Sequence, residues 1–258
     1  MDKKLLNLHT AARRHCINII KNHEWDKEAD FYYFQVYEAI LMGIELLRPK
    51  DYKFFESFKK DIIYMSEITD NESTFHMKHS GQEIEVNKYR HRFKEFIMSL
   101  TPENVENTEP LYYRRMLREE ELDSIKKNLL NYWSGKDEGW FPVFDLDFEK
   151  DLLNFNSEFF RDSGNLSKLK SILVDNKIDL LYEFRWGMDY GVSYEMDVEC
   201  FIDSFYIDPF ERFWTTKDFS SVFYVHHDDI TGFAGLWIQN EIKINFPNWD
   251  KNLFTLNT

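Results

Sequence analysis

Three carboxylates alternate with apolar residues in the stretch SYEMDVEC, which runs from Ser193 to Cys200. Successive side chains of an extended strand point to opposite faces, so Glu195, Asp197 and Glu199 are predicted to stand in one row. Such a row can belong to a metal or catalytic site, form a docking face for a basic partner, or be a hydrated surface. The residue types leave these three interpretations open.

A metal site needs ligands that converge on one point, whereas same-face residues of a strand lie about 6 to 7 Å apart. Glu183, in the preceding predicted strand DLLYEFRW, could share a site with Asp197 as in metal-dependent nucleases, with His226 as a further group. Neither strand carries the lysine that often accompanies such carboxylates. We therefore expect no bound metal, and a metal-dependent hydrolase or nuclease remains the alternative function.

The histidines give two further candidates. His76 and His79 lie three apart in a predicted loop, where no other Cys or His completes a metal site. The run HHDD, from His226 to Asp229, could supply an acid–base pair, but it is more typical of a strand that ends in a polar hairpin with one histidine pointing inward.

Motifs of covalent and phosphate chemistry are absent from the sequence, which has only nine glycines and no nucleophile elbow or phosphate-binding loop. We expect no catalytic residues, no cofactor and no enzymatic activity.

The elements that must position these residues differ between the two halves of the chain. Residues 1–100 contain four apolar stripes with helical spacing, for example Leu5, Leu8, Ala12 and Cys16. Residues 101–110, TPENVENTEP, lack periodicity and are predicted to be a linker. The sequence thus predicts a helical domain or subdomain over 1–100 and an acidic α+β domain over 111–258.

The second half mixes helices and strands without strict alternation, which favours an antiparallel sheet packed by helices. Helices are predicted over Arg118–Trp133, Phe148–Phe160, Leu166–Val174 and Leu236–Ile244, and strands at DLLYEFRW, SYEMDVEC and SVFYVHH. If the first two strands share one apolar face, Phe184 lies opposite Met196. The same register places Glu183 opposite Asp197 and Arg185 opposite Glu195.

Charge is distributed unevenly. Residues 1–108 hold 16 Lys+Arg and 18 Asp+Glu, whereas residues 109–258 hold 16 and 28. Such an acidic field repels nucleic acid and anionic membranes and speeds encounter with basic proteins, although it also serves solubility. With two cysteines and no apolar window of the roughly 18 residues that span a bilayer, we expect a cytoplasmic protein that binds neither nucleic acid nor membrane.

The stretch from Asp179 to Trp249 resembles the C-terminal parts of immunity proteins of bacterial polymorphic toxin systems. The matching positions follow a Trp-Thr-x-x-Asp segment, an aromatic strand, a Thr-x-x-Gly step and a Pro-x-Trp end: Trp214, Thr215, Asp218, Tyr224, His226, Thr231, Gly235, Pro247 and Trp249. The resemblance covers about a quarter of the chain. It implies a non-enzymatic inhibitor that binds a toxin domain.

The leading hypothesis from the sequence is therefore an immunity protein that neutralises a basic toxin domain through an acidic, aromatic-containing surface. The residues predicted to bind the partner are Glu183, Glu195, Asp197, Glu199, His226, Asp228 and Asp229. Nothing in the sequence predicts an oligomeric state.

Overall fold

The computed structural model describes residues 2–22, 28–133, 140–142, 152–185, 192–204 and 212–254. The chain divides into two compact units, Met1–Leu111 and Tyr112–Thr258. Helices fill the first unit, and an antiparallel sheet with helices fills the second, which confirms the predicted α+β class. In the described part of the chain, no helix combines the length and the apolar character needed to cross a membrane.

The described residues of the first unit form five helices and a short 3₁₀ turn at Pro49–Asp51. The helices are α1 (Lys3–Lys21), α2 (Glu28–Glu45), α3 (Phe55–Ile68), α4 (Glu72–His79) and α5 (Glu83–Ser99). The stripe of α1 that begins at Leu5 is buried against apolar residues of α2, α3 and α5, as its spacing predicts. Helix α4 occupies the segment predicted to be a loop, because Asn71 and Thr74 form a capping box at its start.

The core of the first unit also buries polar groups. Arg13 and Glu45 form an ion pair with a distance of 3.0 Å between Nη2 and Oε1, and Nε2 of His9 lies 3.0 Å from the carbonyl oxygen of Ile44. Asn7 donates hydrogen bonds to the carbonyl oxygens of Val105 and Glu106. Residues 101–110, predicted to be a linker, therefore lie against α1 within this unit.

The part of the second unit that the structure describes is centred on a seven-stranded antiparallel sheet in the order β1-β4-β3-β5-β6-β7-β2. The strands are β1 (Arg114–Met116), β2 (Leu152–Asn156), β3 (Leu180–Arg185), β4 (Tyr194–Asp197), β5 (Arg212–Thr216), β6 (Val222–His226) and β7 (Ile230–Ala234). The helices are α6 (Glu119–Trp133), α7 (Glu158–Arg161), α8 (Ser163–Asp175), α9 (Val198–Ser204) and α10 (Leu236–Asn245), and a 3₁₀ turn follows at Trp249–Asn252. Strand β2 occupies part of the segment predicted to be helical over Phe148–Phe160, so that prediction is wrong.

Both faces of the sheet are covered. On one face, Trp214, Phe223 and Phe233 pack with apolar residues of α7, α8, α9 and α10, and we call this the Trp214 face. On the other face, Phe213 and Tyr224 pack with apolar residues of α6 and with Trp140 and Phe141, and we call this the Phe213 face. A strand of this sheet therefore buries the side chains on both of its faces, which explains why β3 carries apolar residues at successive positions.

Gly232 on β7 shows how closely the strands pack. Its Cα pairs with Tyr224 on β6, and a Cβ added to Gly232 would lie 1.9 Å from Cε1 of the tyrosine ring. The ring therefore occupies the space that any side chain at position 232 would need. Tyr224 in turn donates a hydrogen bond to the side chain of Asn154 on β2, which links three neighbouring strands.

Candidate partner-binding site

The predicted row of three carboxylates does not exist in the structure. Strand β4 ends at Asp197 and α9 begins at Val198, so Glu199 lies on a helix and not on the strand. The helix forms because Val198 and Phe201, three residues apart, both reach the core on the Trp214 face. Glu199 forms an ion pair with Lys170 of α8.

Glu195 is buried in a network of charged and phenolic groups on the Phe213 face. Its carboxylate accepts hydrogen bonds from the Tyr113 hydroxyl at 2.7 Å and from Nε of Arg115 at 3.1 Å, and Nζ of Lys217 lies 2.5 Å away. Arg115 also binds Glu121 at the start of α6 through two hydrogen bonds of 2.7 and 3.2 Å. These five residues, the Glu195 cluster, tie β1, β4 and α6 together.

The electrostatics of the Glu195 cluster favour the charged carboxylate. Burial raises the pKa of Glu195, but the hydrogen bonds from Lys217 and Tyr113 and the charge of Arg115 outweigh it and lower the pKa below its usual range. For Tyr113, burial and the hydrogen bond to Glu195 raise the pKa to about 12. Glu195 is thus an internal counter-ion, with only 7% of its surface exposed.

Asp197 has a backbone partner. The amide of Tyr113 donates a 2.7 Å hydrogen bond to its Oδ2, and its own amide donates to the Tyr113 carbonyl oxygen at 2.8 Å. The carboxylate therefore holds the chain where it enters the edge strand β1. It is half-buried and not part of an exposed acidic face.

Glu183 lies on the opposite face of the sheet and is completely buried. Its Oε2 accepts a 3.0 Å hydrogen bond from the indole of Trp214, and its Oε1 lies 3.6 Å from Nη1 of Arg212 and 3.9 Å from Nη2 of Arg114. The Arg114 guanidinium also stacks on Tyr194, with its Cζ 3.8 Å from the ring centroid. We call these five residues the Glu183 cluster.

The register of β3 and β4 differs from the predicted one. Glu183 pairs with Tyr194, Tyr182 with Glu195 and Leu180 with Asp197, so the predicted pairing of Phe184 with Met196 is wrong. The prediction assumed that β3 buries only the face that carries Phe184. In the structure, Leu181 shares the Trp214 face with Met196, whereas Phe184 packs on the Phe213 face. The predicted turn GMDYGV lies largely outside the described residues.

This register also separates Glu183 from Asp197, the two carboxylates that a metal-dependent hydrolase or nuclease would use. Glu183 shares a face with Tyr194, and Asp197, three residues further along the same strand, points to the opposite face. The structure therefore does not bring Glu183 and Asp197 into one site. His226 lies at the end of β6, on the Phe213 face.

The run HHDD forms the predicted hairpin turn. Strand β6 ends at His226, which is buried, and β7 begins at Ile230, so one histidine points inward as predicted. Asp229 adopts a left-handed conformation with φ of 60°. Its carboxylate binds Arg161 of α7 at 2.5 Å, and its carbonyl oxygen accepts a 2.7 Å hydrogen bond from the amide of Ser157.

The other histidine pair lies on α4 of the first unit. His76 is 3.8 Å from Glu72 of the same helix, and Nδ1 of His79 lies 2.8 Å from the carbonyl oxygen of Phe75. Both histidines are exposed. Both histidines interact with residues of α4 itself. Among the described residues, they do not form a group with a third His, Cys, Asp or Glu that could hold a metal ion.

Sequence reasoning missed the basic residues that neutralise the buried acids. Arg114 and Arg115 are adjacent on β1 and reach opposite faces of the sheet, one to Glu183 and one to Glu195. The signal in the sequence was two successive arginines within a short strand, since at least one of them had to point to a covered face.

The residues that carry the family resemblance support local structure. Asp218 accepts hydrogen bonds from Thr216 and Ser220 in the turn between β5 and β6. The Thr231 hydroxyl lies 2.9 Å from that of Ser157. Gly235, with φ of 109°, starts α10, and a Cβ there would lie 2.3 Å from the carbonyl oxygen of Ser220.

An exposed acidic and aromatic surface remains beside the Glu195 cluster. Tyr112 and Tyr113 precede the edge strand β1 and are 51% and 39% exposed. Glu119, Glu120 and Asp123 lie in the first turns of α6 and are exposed as well. We call these five residues the β1–α6 corner, because the link from Tyr113 through Arg115 to Glu121 joins its two parts.

Comparisons with protein-family models, with curated proteins and with solved structures returned no match to this chain. The resemblance to immunity proteins therefore stays a prediction.

Proposed function

We propose that this chain is a non-enzymatic inhibitor that binds a basic protein domain in the cytoplasm, as an immunity protein binds its toxin. The observation that carries the proposal is the charge asymmetry: residues 109–258 hold 28 Asp+Glu against 16 Lys+Arg, whereas residues 1–108 are nearly neutral. An acidic field accelerates association with a cationic partner and opposes the approach of nucleic acid. A basic toxin domain has the chemistry that such a field selects.

The β1–α6 corner is the part of the described surface that best fits such a partner. It combines two exposed tyrosines with three exposed carboxylates, and interfaces use aromatic residues as anchors and charges for steering. Glu183 and Glu195 are buried, and the half-buried Asp197 binds the Tyr113 amide, so the proposal assigns these three acids to the fold of the binding unit and not to contact with the partner. Asp228 and Asp229 are exposed at the β6–β7 turn and add to the acidic field.

The proposal makes the corner responsible for steering, which two variants of equal charge can test. The corner triple variant neutralises the acids of the β1–α6 corner: Glu119→Gln, Glu120→Gln and Asp123→Asn. The control triple variant removes the same charge from exposed acids elsewhere in the unit: Asp175→Asn, Asp179→Asn and Asp250→Asn. The probe is a basic toxin domain, which the proposal expects a neighbouring gene to encode, and the assay measures its association rate at low salt and its inhibition at equimolar ratio.

We expect the corner triple variant to associate roughly tenfold more slowly than the control triple variant, because local charge matters more than total charge at an interface. Equal rates for the two variants would exclude the corner as the docking surface. If the unaltered chain neither binds nor inhibits the toxin domain, the proposed function is wrong.

A further inference from the structure

The β6–β7 turn brings three potential metal ligands together. One ligand atom from each of His226, His227 and Asp228 can be chosen so that all three lie within 4.8 Å of one another. Nδ1 of His226 is 3.4 Å from Oδ2 of Asp228, and Nε2 of His227 is 3.5 Å from Oδ1 of the same carboxylate. We propose that this turn binds a divalent transition-metal ion of the zinc class through these three side chains. The inference does not depend on the proposed function.

The spacing agrees with the coordination geometry of zinc. Zinc binds imidazole nitrogen and carboxylate oxygen at about 2.0 to 2.2 Å with tetrahedral angles, which places neighbouring ligand atoms about 3.3 to 3.5 Å apart. The distances from the imidazoles to Asp228 have this length and end on its two different oxygens, and one ligand atom from each residue lies within 4.8 Å of the other two. The rings of His226 and His227 stack with their centroids 4.2 Å apart, so the exposed side chains of His227 and Asp228 must rotate to bring one nitrogen of each ring and one carboxylate oxygen onto a common ion.

One nitrogen of His226 is held towards the turn. The amide of Asp228 donates a 3.2 Å hydrogen bond to Nδ1 of His226, and Oδ2 of Asp228 lies 3.4 Å from the same nitrogen. The ring is only 6% exposed, and its position is fixed by the pairing of His226 with Ile230. A metal ion would replace one long hydrogen bond with a stronger bond to the same nitrogen.

The turn is held in place by contacts that do not use the three ligands. Asp229 binds Arg161 through its carboxylate and Ser157 through its carbonyl oxygen, and its left-handed conformation sets the direction of the chain. His227 and Asp228, at 55% and 62% side-chain exposure, therefore lie at the surface of an anchored turn. An ion can reach the site from solvent.

The ligand set defines the class of ion. Two imidazoles and one carboxylate favour zinc, cobalt, nickel and copper, whereas magnesium and calcium prefer sites built only from oxygen. Three protein ligands leave the fourth tetrahedral position to a water molecule or another small ligand. The site would therefore bind zinc with an open position facing solvent.

The test is calorimetric titration of the tag-free chain, residues 1–258, with zinc chloride. His227→Ala removes one of the two exposed ligands. Asp228→Asn weakens the other exposed ligand, because it replaces the carboxylate by an amide. His79→Ala, an exposed histidine on α4, is the matched control that removes the same side chain elsewhere. His226 is buried, and its replacement could unfold the unit, so the test does not use it.

We expect one zinc ion per chain, a loss of affinity of at least about tenfold for His227→Ala, and no change for His79→Ala. Magnesium at millimolar concentration should give no heat of binding. The inference is overturned if the unaltered chain binds no zinc at millimolar concentration, or if His227→Ala binds zinc as tightly as the control.

Discussion

Replacing the buried carboxylate of Glu183 by an amide should strongly destabilise the second unit. The change Glu183→Gln keeps the shape of the side chain but removes the negative charge between Arg114 and Arg212, whose guanidinium nitrogens lie 3.9 and 3.6 Å from Oε1. Because Glu183 has no exposed surface, water cannot replace the lost charge. Breaking a buried ion pair from one side costs about 3 to 5 kcal/mol.

Urea unfolding followed by tryptophan fluorescence measures this loss. Six of the seven tryptophans lie after residue 111, so the signal reports on the second unit. With a denaturant slope of about 2 kcal/mol per molar urea, the midpoint should fall by about 1.5 to 2.5 M. Asp179→Asn, the same type of change at an exposed acid, should shift the free energy of unfolding by less than about 0.5 kcal/mol.

A Glu183→Gln variant within about 1 kcal/mol of the unaltered chain would refute this reasoning. Glu183 would then not be the counter-ion of the two arginines, and the sequence-based assignment of this residue to a partner-binding face would regain support.

Two further predictions concern single residues of each unit. Burial and the charge of Arg13 lower the pKa of His9 from 6.5 to about 3. Between pH 6.5 and pH 3 the unfolded chain therefore binds one more proton than the folded chain. The free energy of unfolding of the first unit should fall by about 1.4 kcal/mol for each pH unit as the pH drops from 6.5 towards 3. Circular dichroism during urea unfolding measures this slope, and an equal slope in His9→Gln would contradict the assignment. Gly232→Ala should cost more than about 3 kcal/mol, because the added methyl group overlaps the Tyr224 ring at 1.9 Å. A fluorescence midpoint close to that of the unaltered chain would show that the ring can move aside.

Much of the fold follows from local patterns in the sequence. The stripes of α1, α2 and α5 are predicted correctly because residues three and four apart share one face of a helix, whatever that face packs against. The antiparallel class follows from strands and helices that do not alternate strictly. Helix α4 was missed because its amphipathic pattern is weak and its start depends on the capping pair Asn71 and Thr74.

The candidate site was harder to predict because its contacts connect distant parts of the chain. Glu183 and Glu195 were assigned to an exposed face on the assumption that the sheet buries only one side, whereas helices cover both. Their partners Arg114, Arg115 and Lys217 come from other segments, and no local pattern predicts which acid each one meets. The hairpin at His226 was predictable because a turn is a local structure.

The most direct test of the central claim is the salt dependence of binding between this chain and a basic toxin domain, taken from a neighbouring gene where that gene encodes one. If the acidic second unit recognises a basic domain, the two proteins should form a one-to-one complex that inhibits the toxin. The association rate should fall at least about tenfold when salt is raised from about 20 to 300 mM, because screening removes electrostatic steering. The absence of a complex at micromolar concentrations, or an association rate that does not change with salt, would contradict the account.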